Sequence, residues 1–311
     1  MQKAFLIYNP ASGQKRAERT EQITRVAGVL SAAGVQVEAC ATTHAGSAVQ
    51  QAQDAAEAGF DTVVACGGDG TANEALNGLM RASTGTPTLG LVPLGSGNLL
   101  ASDLRLPSDP AAAAKALLSY KPCPIHPGII SSQGQAGPDK RYFIVAAGVG
   151  ADAELMFRTP VKSKERFGRN AYFLEMVRMA LRRGYPMFHV EWEDEQGARH
   201  EDKAMLGMAI RAKQFPGLLR FVNLGSALTR DSLCLLLFHT NKVRHFLNYF
   251  SSVASGLNWK VAQVGVVHSR WFRCTALPGE NEIHSQADGE LLGTLPVEVS
   301  IESRTFNLLM P

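Results

Sequence analysis

Between Ala4 and Val92 short apolar runs alternate with segments of helical period, and each run ends in a polar or glycine-bearing turn. Such alternation marks βαβ units, where parallel strands are joined by helical crossovers and the helices cover the sheet. Ala4 to Tyr8, Val35 to Ala39, Asp61 to Cys66 and Thr88 to Val92 read as strands. Ile23, Val26, Ala27 and Leu30 mark a first helix that Gly34 stops. A second helix spans Ala45 to Ala58, and a third, beginning near Ala72, carries Ala75, Leu76 and Leu79. Ligands of open parallel sheets collect beyond the carboxyl ends of the strands, so the turns are where chemistry is to be sought.

The strongest of these turns is Gly67-Gly68-Asp69-Gly70-Thr71, set between an apolar strand and a helix. Its glycines let the backbone approach a ligand closely or take positive φ, and N–H groups at a helix N-terminus suit a phosphate. Asp69 repels phosphate, so its place there makes sense if it holds Mg²⁺ or faces a substrate hydroxyl; a plain turn with a capping Asp and Thr is the alternative. Pro93-Leu94-Gly95-Ser96-Gly97-Asn98 follows the next strand, Asn9-Pro10-Ala11-Ser12-Gly13 follows the first, and Thr42-Thr43 the second. Four consecutive strand ends with small polar or glycine residues point to one nucleotide site. The P-loop pattern, the three-glycine dinucleotide fingerprint and the protein-kinase loop set are all missing.

From about Lys121 three prolines, Pro122, Pro124 and Pro127, break the pattern, and short β-like runs dominate the remainder. The expected division is an α/β domain over 1–124, rejoined by about 303–311, and an antiparallel β-sandwich domain over 125–302. In this half Gly148-Val149-Gly150 precedes Asp152, and Asp288-Gly289-Glu290 is an acidic turn, one of whose carboxylates suits a general base for an alcohol. Arg158 to Arg183 holds eight Lys/Arg and two Glu, a surplus of +6 against +3 for all 311 residues. With its interleaved aromatic and aliphatic residues it reads either as a basic amphipathic surface for an anionic membrane or as a solvated bridging helix. No run approaches the ~18 apolar residues of a membrane span, and Ala4 to Tyr8 is too short for the ~7–15-residue apolar core of an export signal. Five scattered cysteines without a Cys-x-x-Cys pair suggest neither a disulfide framework nor a zinc site, and hence a reducing, cytoplasmic setting.

In this order the motifs make the chain resemble the diacylglycerol kinase catalytic-domain family, the bacterial lipid kinases related to sphingosine kinases and, more distantly, to NAD kinases. The resemblance implies a Rossmann-like nucleotide-binding α/β domain, then an antiparallel β-sandwich lipid-substrate domain, with the last strand returning to the first domain. It implies an ATP- and Mg²⁺-dependent kinase acting on a hydroxyl of a diacylglycerol-like or sphingoid-like lipid; a soluble NAD kinase-like enzyme or a non-catalytic nucleotide- or lipid-binding regulator is the alternative. Carried over by position, ATP falls to Asn9, Ser12, Gly13, Thr43, Gly67, Gly68, Asp69, Gly70, Thr71, Asn73, Glu74, Gly95, Ser96 and Asn98. Glu290 takes the place of the proton acceptor with Asp288 and Asp69 beside it, and Asp152 that of the lipid head-group contact. Asp231, with the carbonyls of Leu228 and Leu233, matches a structural Mg²⁺ site. Gly95-Ser96-Gly97-Asn98-Leu99 is nearer the sphingosine-kinase form than the Gly-Thr-x-Asn-Asp of many bacterial members, which leaves the acceptor lipid open. The expected partners are a lipid substrate and peripheral contact with the inner membrane face, with a homodimer left open and nucleic acid excluded by the small net charge.

Overall fold

The computed structural model describes residues 1–12, 16–85, 87–134, 137–158, 185–212, 227–240, 242, 245, 248, 263–279 and 282–311. Gly13 and nearly all of the basic segment 158–183 lie outside the described residues. Two compact units emerge: 1–127 with 142–145 and 302–311, and 128–141 with 146–301.

The first unit is built on strands β1 (Lys3–Tyr8), β2 (Gln36–Ala41), β3 (Thr62–Gly67), β4 (Thr88–Pro93) and β5 (Lys121–Ile125). A C-terminal strand (Phe306–Met310) joins them, giving the order β2-β1-β3-β4-C-terminal strand-β5. The β1–β2, β1–β3 and β3–β4 pairs are all parallel, so the carboxyl ends of β2, β1, β3 and β4 lie side by side along one edge. The C-terminal strand runs parallel to β4 and antiparallel to β5, which is the expected return to the first domain. The proline-rich stretch expected to break the pattern is β5 itself. It is an edge strand, where the missing N–H of Pro122 and Pro124 need not cost a ladder bond.

Helices α1 (Arg19–Ala32), α2 (Ser47–Glu57), α3 (Asp69–Arg81), α4 (Leu99–Asp103) and α5 (Pro110–Leu117) complete this unit. Ile23, Val26 and Leu30 of α1 are buried at helical spacing in one core with Leu6, Val64, Val92 and Leu117. Gly34 ends α1 at φ 84, with its N–H donating to Ser31 O and that of Val35 to Leu30 O, the paired bonds of a Schellman cap. The helix expected near Ala72 begins three residues earlier. Gly67 closes β3 and Asp69 opens α3, so the expected five-residue loop shrinks to Gly68 alone.

The second unit is antiparallel: β6 (Gly128–Gly134), β7 (Gly137–Phe143), β8 (Ala146–Gly150), β9 (Phe188–Asp194), β10 (Arg199–Ala204), β11 (Leu206–Ile210), β12 (Leu233–Phe238), β13 (Val264–Ala276), β14 (His284–Ala287) and β15 (Glu290–Ile301), with helix α6 (Ala151–Arg158). The C-terminal strand introduced above is β16 in chain order. β13 pairs through its first half with β12 and through Trp271–Cys274 with β15. The pairings β13–β12–β11–β8–β14–β15–β13 therefore close a ring of six strands, and β9–β10 and β6–β7 extend it. β12 is buried at all six positions, as the Leu-rich run requires.

Candidate active site

In the first unit the strand-end turns are tied together by side chains. Arg19, 3% exposed, donates through Nη2 to Ser12 O after β1 and to Leu94 O (2.9 Å) after β4. Asp69 reaches across to the second glycine turn, where Oδ2 accepts Leu99 N–H (2.9 Å) and Oδ1 accepts Leu100 N–H (3.1 Å). Its carboxylate caps α4, a helix that begins after Asn98 in the left-handed region at φ 50. Asn98 closes its own turn, accepting Gly95 N–H at 3.0 Å and donating to Gly95 O at 2.8 Å.

The glycines serve this packing. Neither Gly67, Gly68 and Gly70 nor Gly95 and Gly97 stands at positive φ. A Cβ on Gly95 would lie 2.4 Å from Gly68 Cα, and one on Gly67 would lie 2.4 Å from Thr71 Oγ1. The two turns touch backbone to backbone, and the crevice between them, lined by Gly67, Gly68, Asp69, Pro93 and Asn98, has room for about 10 Å³, roughly one water. A crevice of that size has no room for a phosphate. The capping position of α3 is Gly68, which brings no side chain to the N–H groups of the helix's first turn.

The remaining residues expected at ATP fall into two groups. Asn9 accepts Ala11 N–H through Oδ1 (2.8 Å), its carbonyl accepts both N–H and Oγ–H of Ser12, and Ser96 and Thr43 are exposed on the same strand-end edge. Thr43 N–H donates to Ser47 Oγ at 3.1 Å. Asn73 and Glu74 are engaged elsewhere. Asn73 is fully buried and donates to Tyr142 O at 2.9 Å, while Glu74 Oε2 accepts Ala48 N–H at 3.0 Å, in the first turn of α2. Thr71 is 8% exposed beneath Gly67, and Gly70 is half-buried in the first turn of α3.

In the second unit the Gly148, Asp152 and 288–290 motifs meet. Gln286 Nε2 donates to Asp152 Oδ2 at 2.6 Å, and Gln286 Oε1 accepts Gly289 N–H at 2.9 Å. Gly148 is required beneath this pair, since a Cβ there would lie 2.2 Å from Asp152 Oδ2. Burial of the carboxyl group pushes Asp152 up to about 6, with the Gln286 hydrogen bond acting in the opposite sense. Asp288, at φ 46, is pinned to Ala146: its N–H donates to Ala146 O, and its Oδ1 accepts Ala146 N–H, both at 2.8 Å. Glu290 Oε2 accepts Arg141 Nη1 at 2.6 Å, with the pair partly open to solvent. Sequence reasoning missed Arg19, Arg141 and Gln286.

The structural Mg²⁺ expected at Asp231, Leu228 and Leu233 does not fit. Leu228 O accepts Arg211 Nη2 at 2.8 Å, Asp231 is ion-paired with Arg270 and 63% exposed, and Leu233 stands at the head of β12 opposite Ser269.

A parallel sheet whose strand ends gather glycine-rich turns is followed in this chain by an antiparallel unit carrying its own carboxylates. Residues 3–128 match the family model of the diacylglycerol kinase catalytic domain. Over 312 aligned residues the chain is 28% identical to the diacylglycerol kinase of Bacillus subtilis (strain 168), covering 100% of this chain and 97% of that one. A solved diacylglycerol kinase of Bacillus anthracis str. Sterne superposes with a TM-score of 0.70 at 21% identity, covering 100% and 97%. Yeast NADH kinase complexed with NADH shares the fold at a TM-score of 0.55 and 9% identity, covering 100% and 84%. The likeness to diacylglycerol kinases thus runs along the whole chain and is carried by the family model over residues 3–128, and the enzyme class these comparisons support is that of a lipid kinase.

Proposed function

We propose that the chain transfers the γ-phosphate of ATP, with Mg²⁺, to a hydroxyl of a diacylglycerol-like or sphingoid-like lipid at a membrane surface. The observation that carries this reading is the α3 N-terminus, open to an anion and flanked by strand-end turns that Arg19 and Asp69 hold in register. Preorganised N–H donors at a helix start suit phosphoryl transfer, which asks for positioning and charge stabilisation more than for covalent chemistry.

Asp69 has two lone-pair sites committed to Leu99 and Leu100 and two left, so its carboxylate fits a hydrated Mg²⁺. Bound with ATP, the ion would supply neutralisation of the phosphate charge. Glu290 is the proposed acceptor of the lipid hydroxyl proton and Asp152 the contact for the polar head. Asp288 fixes the turn that carries Glu290. No helix among the described residues is long and apolar enough to cross a membrane, and the proposed approach to lipid is peripheral.

The test is transfer of labelled γ-phosphate from ATP and Mg²⁺ to micelle-presented diacylglycerol, monoacylglycerol, sphingosine, ceramide and phosphatidylglycerol, with NAD as soluble control. Label on a diacylglycerol or sphingoid lipid is expected and names the acceptor. Label on NAD alone, or bound ATP with no labelled lipid, would overturn the proposal.

A further inference from the structure

Beyond the proposed nucleotide and acceptor machinery, Arg211 stands out among the described residues. It follows β11, is fully buried, and spreads its guanidinium among three carbonyls from five consecutive residues. Nη2 donates to Leu228 O at 2.8 Å, and Nη1 donates to Arg230 O and Ser232 O, both at 2.9 Å. A segment that turns three carbonyl oxygens inward creates a region of negative potential, and such oxygens are the ordinary ligands of a hard cation.

We infer that the guanidinium of Arg211 is the built-in cation of the 228–232 turn, so that this turn is formed without the divalent ion the family resemblance places there. Three observations carry this. First, a planar guanidinium offers several donors in a fixed fork, which suits carbonyls from separate residues better than a point charge does. Second, Arg211 retains its charge in place. Burial lowers it to about 10, with the nearby Asp231 opposing, so it is protonated at neutral pH. Third, the carboxylate an ion would need is turned away, with Asp231 paired to Arg270 at the exposed surface.

Mg²⁺ demands near-octahedral oxygens at about 2.1 Å. An ion seated on Leu228 O would face the guanidinium hydrogen-bonded to the same oxygen, and like charges at that range repel strongly when no water separates them. The covalent attachment of Arg211 also makes the cation independent of metal concentration, whereas a bound ion stabilises only by mass action.

This inference does not rest on the kinase reading, and its test uses the full chain without nucleotide. After chelation and dialysis, the wild type is expected to retain substoichiometric divalent metal by elemental analysis, and to melt at the same temperature with EDTA as with millimolar Mg²⁺ or Ca²⁺. Arg211→Met is expected to lower Tm by several degrees, and Arg211→Lys, which keeps the charge but loses the fork, by less. One equivalent of metal retained by the wild type and lost in Asp231→Asn, or a wild-type Tm that falls in EDTA, would overturn it. So would an Arg211→Met protein that melts like the wild type. Should Arg211→Met fail to accumulate as folded protein, the wild-type metal content and its EDTA response decide alone.

Discussion

Gly95→Ala separates two explanations of the glycine-rich turns. If the glycines exist so that backbone can approach a phosphate, adding a methyl group costs nucleotide affinity and leaves the empty protein's stability alone. The structure assigns them another task. The new Cβ would stand 2.4 Å from Gly68 Cα and 2.9 Å from Gly68 N, where carbon–carbon contact asks for about 3.5–4.0 Å. Both Gly68 atoms are backbone, with the Asn98 side-chain oxygen at 2.8 Å beside them, so the main conflict is relieved only by parting the two turns by more than about 1 Å, and overpacking of this kind costs about 1–3 kcal/mol. The displacement also pulls on the caps that Asp69 makes to Leu99 and Leu100, which adds to the loss. Gly97→Ala is the matched control. Its Cβ would meet only Asp69 Oδ2, at 3.2 Å, where a side chain can give by a few tenths of an ångström. Denaturant unfolding of the nucleotide-free chain is the assay, with midpoints compared at constant slope. Gly95→Ala is expected to lose about 1–3 kcal/mol and Gly97→Ala less than about 0.5 kcal/mol. Equal stability of Gly95→Ala and wild type, with only ATP binding impaired, would refute the backbone-packing explanation.

Three further outcomes follow from named contacts. Arg19→Lys cannot span both Ser12 O and Leu94 O with the same geometry, and should lose about 1–2 kcal/mol in denaturant unfolding and weaken ATP binding measured by calorimetry. Glu290→Gln should reduce lipid phosphorylation by about 10²-fold or more while Tm moves little, because its pair with Arg141 is part-exposed and such pairs contribute about 0–1 kcal/mol; full activity would remove Glu290 from the proposed chemistry. Asp152 is raised in the folded state to about 6 from an ordinary 3.8, so the folded chain holds one more proton than the unfolded between those values. Its contribution to stability therefore falls as pH rises from about 4 to 6, by up to about 3 kcal/mol, and Asp152→Asn should flatten that part of the stability–pH curve; an unchanged slope would contradict the burial argument.

What the chain's pattern discloses is burial and order along the sequence. Strands β1 to β4, the helices between them and the edge where their turns collect follow from apolar periodicity and glycine punctuation, because those signals are local. The failures are equally physical. Lys121 to Pro127 was expected as a break, since proline removes an N–H, but an edge strand has a face where that N–H is not needed. The partners that build the site lie far apart in sequence, as with Arg19 and Leu94 at 75 residues or Arg141 and Glu290 at 149. One local signal did exist for Arg19. A basic residue in the first turn of a helix opposes the helix dipole, which is a reason to look for a tertiary acceptor.

The acidic residues show why motif chemistry and observed geometry must be weighed together. Asp69, Glu74 and Asp109 all accept backbone N–H groups at helix starts, so a carboxylate beside a glycine turn is as readily a cap as a catalyst. Asp288 is bound to Ala146 through both its N–H and its carboxylate, which holds a residue at positive φ and makes it the pin of its turn. Glu290, two residues on, is committed differently. Its contact with Arg141 is side chain to side chain and part-exposed, so the carboxylate can exchange that partner for an acceptor hydroxyl without unmaking any backbone bond. For this reason the proposed proton transfer falls on Glu290 and the positioning on Asp288, a division that the Asp-Gly-Glu sequence leaves undecided.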